Sequence, residues 1–199
     1  MKGLLNHLLR QNWETILNKS LKNCHVKGLH SIMLIDSPGQ TVRLYIAERD
    51  HDMAGDNLAL HPHHCNLTLE VVRGKINNIT YRTGKSVETR AKWLYQSQIT
   101  TGKMGFTLID LIDRSLIQNS SKILQQGDVI GMNASTIHTV KVNKGELAAW
   151  FVYEGMEDPN YVPYCWSNND LANFDATGLY QKFQSMEEIR DLLQMISII

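Results

Sequence analysis

The sequence predicts a chain dominated by β-strands with a helix at each end, and three observations carry that expectation. Residues 4 to 21 place Leu5, Leu8, Leu9, Trp13, Ile16, Leu17 and Leu21 near helical spacing, with Arg10, Glu14 and Lys19 mostly off the stripe. From about residue 28 to 153 the apolar residues alternate, or run in short blocks bounded by turn residues, which is strand behaviour. Near the end, Ser185-Met186-Glu187-Glu188 forms a capping box: Ser185 accepts from the Glu188 backbone and the Glu188 side chain returns the bond. Ile189, Leu192, Leu193 and Ile196 then line one face of a C-terminal helix.

Taken in order, the strands begin with Leu29 to Ile35, a turn at Ser37-Pro38-Gly39-Gln40, and Thr41 to Ala47, a hairpin whose turn has the fixed and the permissive residue it needs. Arg43 and Tyr45 share one face of its second strand. If that face is the pocket, Arg43 can pair with a substrate carboxylate through its planar fork; otherwise it is a solvated edge-strand arginine. Residues 48 to 60 form a polar loop with Asp50-His51-Asp52 and Gly55-Asp56, in which His51 reads as a surface residue. Val71 to Ile76 and Asn78 to Arg82 continue the strands with a bend at Gly74, and Thr83-Gly84-Lys85 turns outward. Residues 85 to 126 are an insertion with Trp93, Tyr95 and a strand near Phe106 to Ile109, expected to cover the pocket mouth and to carry specificity. Leu147 to Tyr153 is a buried strand, and the tail opens with Asp158-Pro159-Asn160 and a Tyr/Trp-rich loop.

Composition sets bounds on partners. The chain has 199 residues, is 43% hydrophobic, and balances 20 Lys and Arg against 20 Asp and Glu. Zero net charge gives no reason to expect nucleic acid or an anionic membrane as partner. The apolar run at Met1 to His7 is too short for a secretion signal and no long apolar stretch follows, so the expectation is a soluble, cytoplasmic protein. It is read as one domain over 1–199, with an N-terminal helix in 1–24, a barrel core at 28–153 and an extension with a helix at 154–199; a homodimer is one expected state. Cys24, Cys65 and Cys165 are odd in number and dispersed, which argues against a disulfide framework or a zinc knuckle.

The chemistry concentrates in His61-Pro62-His63-His64-Cys65 and in a second stretch, Gly127 to His138. His61 and His63 point the same way on an extended strand, because side chains alternate with period 2. His138 arrives from far along the chain in an alternating strand with Val140 and Val142. Three convergent neutral imidazoles make a metal site, with His61, His63 and His138 as ligands.

The spacing resembles the two signatures of the cupin superfamily: a His-x-His followed by a Glu and then a Gly, and later a Gly, a Pro-x-Gly and a final His. His61, His63 and Gly74 fall on the first pattern, and Gly127 and His138 on the second. The family's glutamate position is occupied by Leu67, and its Pro and Gly by Asn133 and Ser135. On one unbroken strand Leu67, Leu69 and Val71 face the interior and Glu70 faces away, as does His64 relative to His61 and His63. The resemblance implies a double-stranded β-helix, or jelly-roll, barrel with flanking helices.

A histidine-only site resembles the thiol dioxygenase branch of that superfamily, the cysteine dioxygenase type, in which three histidines hold ferrous iron. Fe(II) is thus the implied metal, with Ni, Mn and Zn also suited to imidazole. Three neutral ligands leave the ion at +2, which favours a small anionic chelating substrate, a thiol among them. By the same resemblance Tyr153 is close to a tyrosine that assists at the metal, although a shift of one residue would turn it away. Cys65 either approaches the metal, where it can be oxidised or crosslinked, or packs as a small buried hydrophobe. Three other readings stay open: a non-redox isomerase or epimerase, a small-molecule-binding protein without turnover, and a protein-interaction module built on the terminal helices.

Overall fold

The computed structural model describes residues 7, 9, 10, 12–53, 60–84, 93–100, 103–110, 116–156, 160, 164–167 and 177–197. Among the described residues, helix α1 (Trp13–Lys19) and helix α2 (Met186–Met195) flank thirteen strands. Leu5 and Leu8 of the predicted N-terminal stripe, Gly55-Asp56 and Asp158-Pro159 lie outside the described residues. Within the stripe Leu9 and Ile16 are buried, but Trp13 is 49% exposed. The helix also stops earlier than its periodicity indicates. Ser20 is extended and buried, its hydroxyl accepts from the Met33 backbone at 2.9 Å, and Leu21 opens a strand instead. At α2 the predicted cap is present: Ser185 Oγ accepts from the Glu188 backbone, and the Glu188 carboxylate accepts from the backbone of Gln184.

The main sheet has seven strands. In spatial order they are β13 (Gln181–Lys182), β1 (Leu21–Lys22), β2 (Leu29–Ser37), β3 (Gln40–Ala47), β11 (Ala148–Glu154), β4 (Leu67–Arg73) and β9 (Val129–Met132). All their pairings are antiparallel. A three-stranded sheet holds β10 (Ile137–Lys141), β5 (Lys75–Thr83) and β8 (Leu116–Gln125), and another holds β12 (Tyr164–Ser167), β6 (Trp93–Thr100) and β7 (Lys103–Asp110). The expected β2–β3 hairpin closes with Ser37 opposite Gln40 around Gly39 at φ +79°. The insertion is thus a hairpin, β6–β7, followed by a strand that joins β5. The expected Tyr/Trp-rich loop of the tail contains β12.

Both faces of the main sheet are covered, so its strands are apolar on both sides where they cross the centre. On the outer face Ile32, Leu34, Val42, Leu44, Ile46 and Phe151 pack with Ile16, Ile189 and Leu193 of the helices. On the inner face Leu29, Ala47, Leu67, Leu69, Val71, Trp150 and Val152 meet Ile76 and Leu124 of the second sheet. Gly74 makes this layering possible. It sits at φ +70° between β4 and β5, and a Cβ there would fall 2.2 Å from the Leu147 carbonyl oxygen. Only glycine allows the chain to pass from one sheet to the other at that point.

His51 is buried rather than on the surface. Its loop is pinned by Glu48 N–H to Gly28 O and Asp52 N–H to Lys27 O, and a Cβ on Gly28 would fall 2.7 Å from the His51 Cα. Charged neighbours in the sequence hid that packing. Among the described residues no helix is long and apolar enough to cross a membrane.

Candidate metal centre

Backbone hydrogen bonds bring the two histidine-bearing stretches together. His61 and His138 form an antiparallel bridge, with N–H to O distances of 3.3 and 3.2 Å, and the His63 N–H donates to Ala134 O at 2.9 Å. Asn66 Oδ1 accepts from the Ala134 N–H at 2.9 Å, so Ala134 is held through both its backbone groups. Gly127, at φ +93°, makes the turn into β9 and donates to Val71 O. On the far side of His61, Leu60 bridges to Trp166 of β12.

The result is a cluster in which one ring nitrogen from each of His61, His63 and His138 lies within 4.8 Å of the others. His63 Nε2 and His138 Nε2 are 2.7 Å apart. His138 Nδ1 is 2.8 Å from Asn78 Oδ1, while Asn78 Nδ2 donates to Met132 Sδ. An amide oxygen only accepts, so His138 carries its proton on Nδ1 and directs the Nε2 lone pair into the cluster. Burial and the neighbouring imidazoles hold His63 far below the ordinary histidine range, and burial and His61 push His138 down to about 3. Neutral rings with converging lone pairs are a donor set that fits Fe, Ni, Mn or Zn. Replacing Asn78 by leucine is expected to weaken metal affinity about 10- to 100-fold, with Asn78→Asp retaining it, in a chelator-competition titration.

The cluster opens into a cavity of about 80 Å³ whose wall is largely apolar, including Leu67, Leu69, Trp150 and Val152. Leu67 lines the cavity. Glu70 faces outward, as the alternation predicts, and accepts a 2.6 Å hydrogen bond from the Tyr153 hydroxyl. Tyr153 is therefore on the other side of the sheet from the cluster. The alternation along β11 turns Ala148, Trp150 and Val152 inward, and Glu154 is the next residue on that face. The β3 face that Arg43 shares with Tyr45 does line the cavity; the Arg43 guanidinium itself lies behind that wall, 3.6 Å from the Glu154 carboxylate, and donates to Ser31 Oγ. β3 is not an edge strand, since it lies between β2 and β11. His64 is outside the cluster, and Cys65 is buried in the inner apolar layer. Burial pushes the Cys24 and Cys165 thiols up to about 12, so neither is a ready nucleophile.

Three further residues line the cavity, of which Tyr45 lies on the β3 face the sequence marked as a possible pocket wall and the other two have no counterpart in the sequence reading. Tyr45 stacks on Trp150 with ring centroids 5.7 Å apart. Glu154 brings a carboxylate. His25, from the turn after β1, stacks on His61 at 5.7 Å and is pushed down to about 3 by burial and by His61. The only signal for Glu154 was the strand alternation, which places it opposite Tyr153. His25 follows no periodic pattern and lies far from both motifs in sequence.

No protein-family model matches the sequence, and no curated protein matches it significantly. Solved structures with a similar fold include the polyketide cyclase RemF from Streptomyces resistomycificus, at 10% identity over 76% of this chain and 80% of that one, TM-score 0.45. Another is hydroxypropylphosphonic acid epoxidase from S. wedmorenis, at 12% identity over 69% of this chain and 56% of that one, TM-score 0.41. A cupin-like protein from Thermotoga maritima aligns at 14% identity over 75% of this chain and 85% of that one, TM-score 0.40.

Proposed function

We propose that His61, His63 and His138 hold a divalent metal ion, ferrous iron in the working protein, and that the cavity binds a small anionic molecule for oxidation, a thiol being the first class to test. The observation that carries this reading is the convergence of three neutral imidazoles within 4.8 Å on the wall of a largely apolar cavity. When bound, ferrous iron supplies open coordination positions and the electron chemistry that dioxygen requires.

The chain's own residues have separate tasks. Three uncharged ligands leave the ion's double charge uncompensated, which attracts an anion and favours the thiolate over the thiol. Asn78 fixes the tautomer of His138. Leu67, Leu69, Val152 and the Tyr45–Trp150 stack exclude water from the reacting end and select a small ligand. Glu154 would repel an anion, but Arg43 beside it neutralises that wall.

The test is oxygen uptake by protein loaded anaerobically with ferrous iron and offered small thiols. One dioxygen consumed per thiolate, with the sulfinate as product, is the expected result; no uptake above that of free iron with any thiol rejects the oxidation. Glu154 favours a second reading, because a carboxylate beside a metal-bound substrate can move a proton from carbon, as an isomerase or epimerase requires. That reading predicts deuterium exchange from solvent into a hydroxy- or keto-acid ligand without oxygen uptake, abolished in Glu154→Gln.

A further inference from the structure

The segment around Tyr180 reaches the metal cavity through His25. Tyr180 is 1% exposed, and its hydroxyl lies 2.8 Å from His25 Nδ1 with the two rings edge to face. The backbones are tied as well: Tyr180 N–H donates to Asn23 O, and Asn23 Nδ2 donates to Gly178 O. His25 and Tyr180 both adopt left-handed backbone, at φ +70° and +50°, a region that non-glycine residues rarely occupy because it is strained. Strain on both members of one hydrogen-bonded pair, with one ring forming part of the cavity wall, is the pattern of a residue held for use rather than for packing.

We propose that His25 is a substrate-binding residue, and that Tyr180 is the positioning residue that fixes its tautomer so that Nε2–H donates to an anion bound at the three-histidine metal. A neutral phenol is a better donor than acceptor, so the Tyr180 O–H donates a hydrogen bond to the Nδ1 lone pair and the imidazole proton resides on Nε2. Tyr180 is kept neutral by its burial, which pushes its hydroxyl well above the ordinary tyrosine range. His25 lines the cavity and its ring stacks on that of His61, one of the three clustered histidines. The ligand class follows: a metal-chelating anion that presents an oxygen or nitrogen acceptor next to its coordinating atom. This assignment rests on the metal reading given above.

The test uses full-length protein loaded with Co(II), with azide as the probe anion and the visible cobalt bands as the readout. His25→Ala is expected to weaken azide binding about tenfold, the worth of a hydrogen bond to a charged group, with cobalt still bound one per chain. His25→Gln, which returns an N–H donor, restores most of that loss, and Tyr180→Phe weakens azide about threefold while the cobalt spectrum without azide stays unchanged. Azide affinity equal to wild type in His25→Ala overturns the proposal, as does loss of cobalt from it, which would make His25 a ligand. If His25→Ala fails to fold, unchanged azide affinity in Tyr180→Phe overturns the positioning role and with it the proposal. A wild-type protein that holds no cobalt rejects the metal reading itself, a result distinct from the others and equally fatal to this one.

Discussion

Protein purified without chelator and reconstituted with ferrous iron is expected to hold about one metal ion per chain, and His63→Ala or His138→Ala is expected to lose it. Removing a hydrogen-bond partner of a ligand already costs about 10- to 100-fold in affinity, and removing one ligand of three costs more, so the loss should exceed about 100-fold. The contrast with neighbouring residues makes the result specific. His64→Ala and Glu70→Gln, which change groups outside the cluster, should retain the ion. Elemental analysis after desalting decides it: equal metal in wild type and in all three triad variants, His61→Ala included, would remove the assignment.

The second large effect is on stability in acid. His25 and His138 are pushed down to about 3, and His63 lower still, against an ordinary value of 6.5. Between those limits the unfolded chain binds protons that the folded chain refuses. Stability from this source is therefore whole above pH 6.5 and drains as pH falls toward 3. A group that stays unprotonated in the folded chain contributes a slope of about 1.4 kcal/mol per pH unit over that window, a large share of a domain's reserve of about 5–15 kcal/mol. Metal-free protein should unfold above the range where carboxylates titrate, and bound metal should lower the acid midpoint because the ion binds the folded state. Denaturant midpoints that stay level from pH 7 to pH 4.5 would contradict the burial of these rings.

How much of this could be read in advance depended on whether the signal was local. The pairing of His61 with His63, the inward face of Leu67, Leu69 and Val71, the turn at Gly127 and the bend at Gly74 all follow from alternation or from a glycine's allowed angles. So does the capped C-terminal helix. Glu154 instead of Tyr153 in the cavity turned on a single step of strand register, which alternation determines only once one inward residue is known. His25, Asn78 and Tyr180 were hidden for a different reason. Their roles come from contacts between distant segments, and the Tyr180–His25 bond spans 155 positions of the chain. His51 is hidden because charged neighbours look the same in a solvated loop and in one pinned to the turn at Lys27 and Gly28.

The clamp on Ala134 has a temporal meaning. Its two backbone hydrogen bonds join residue 134 to Asn66 and His63, and the closest ligand pair is 75 positions apart. Contacts of such separation form late, after the loop between them has been closed. A growing chain on the ribosome therefore carries two of its three imidazoles exposed for the whole interval needed to synthesise the rest. On the metal reading proposed above, an ion met in that interval would find two donors only, and the full set of three would exist once the sheets have closed.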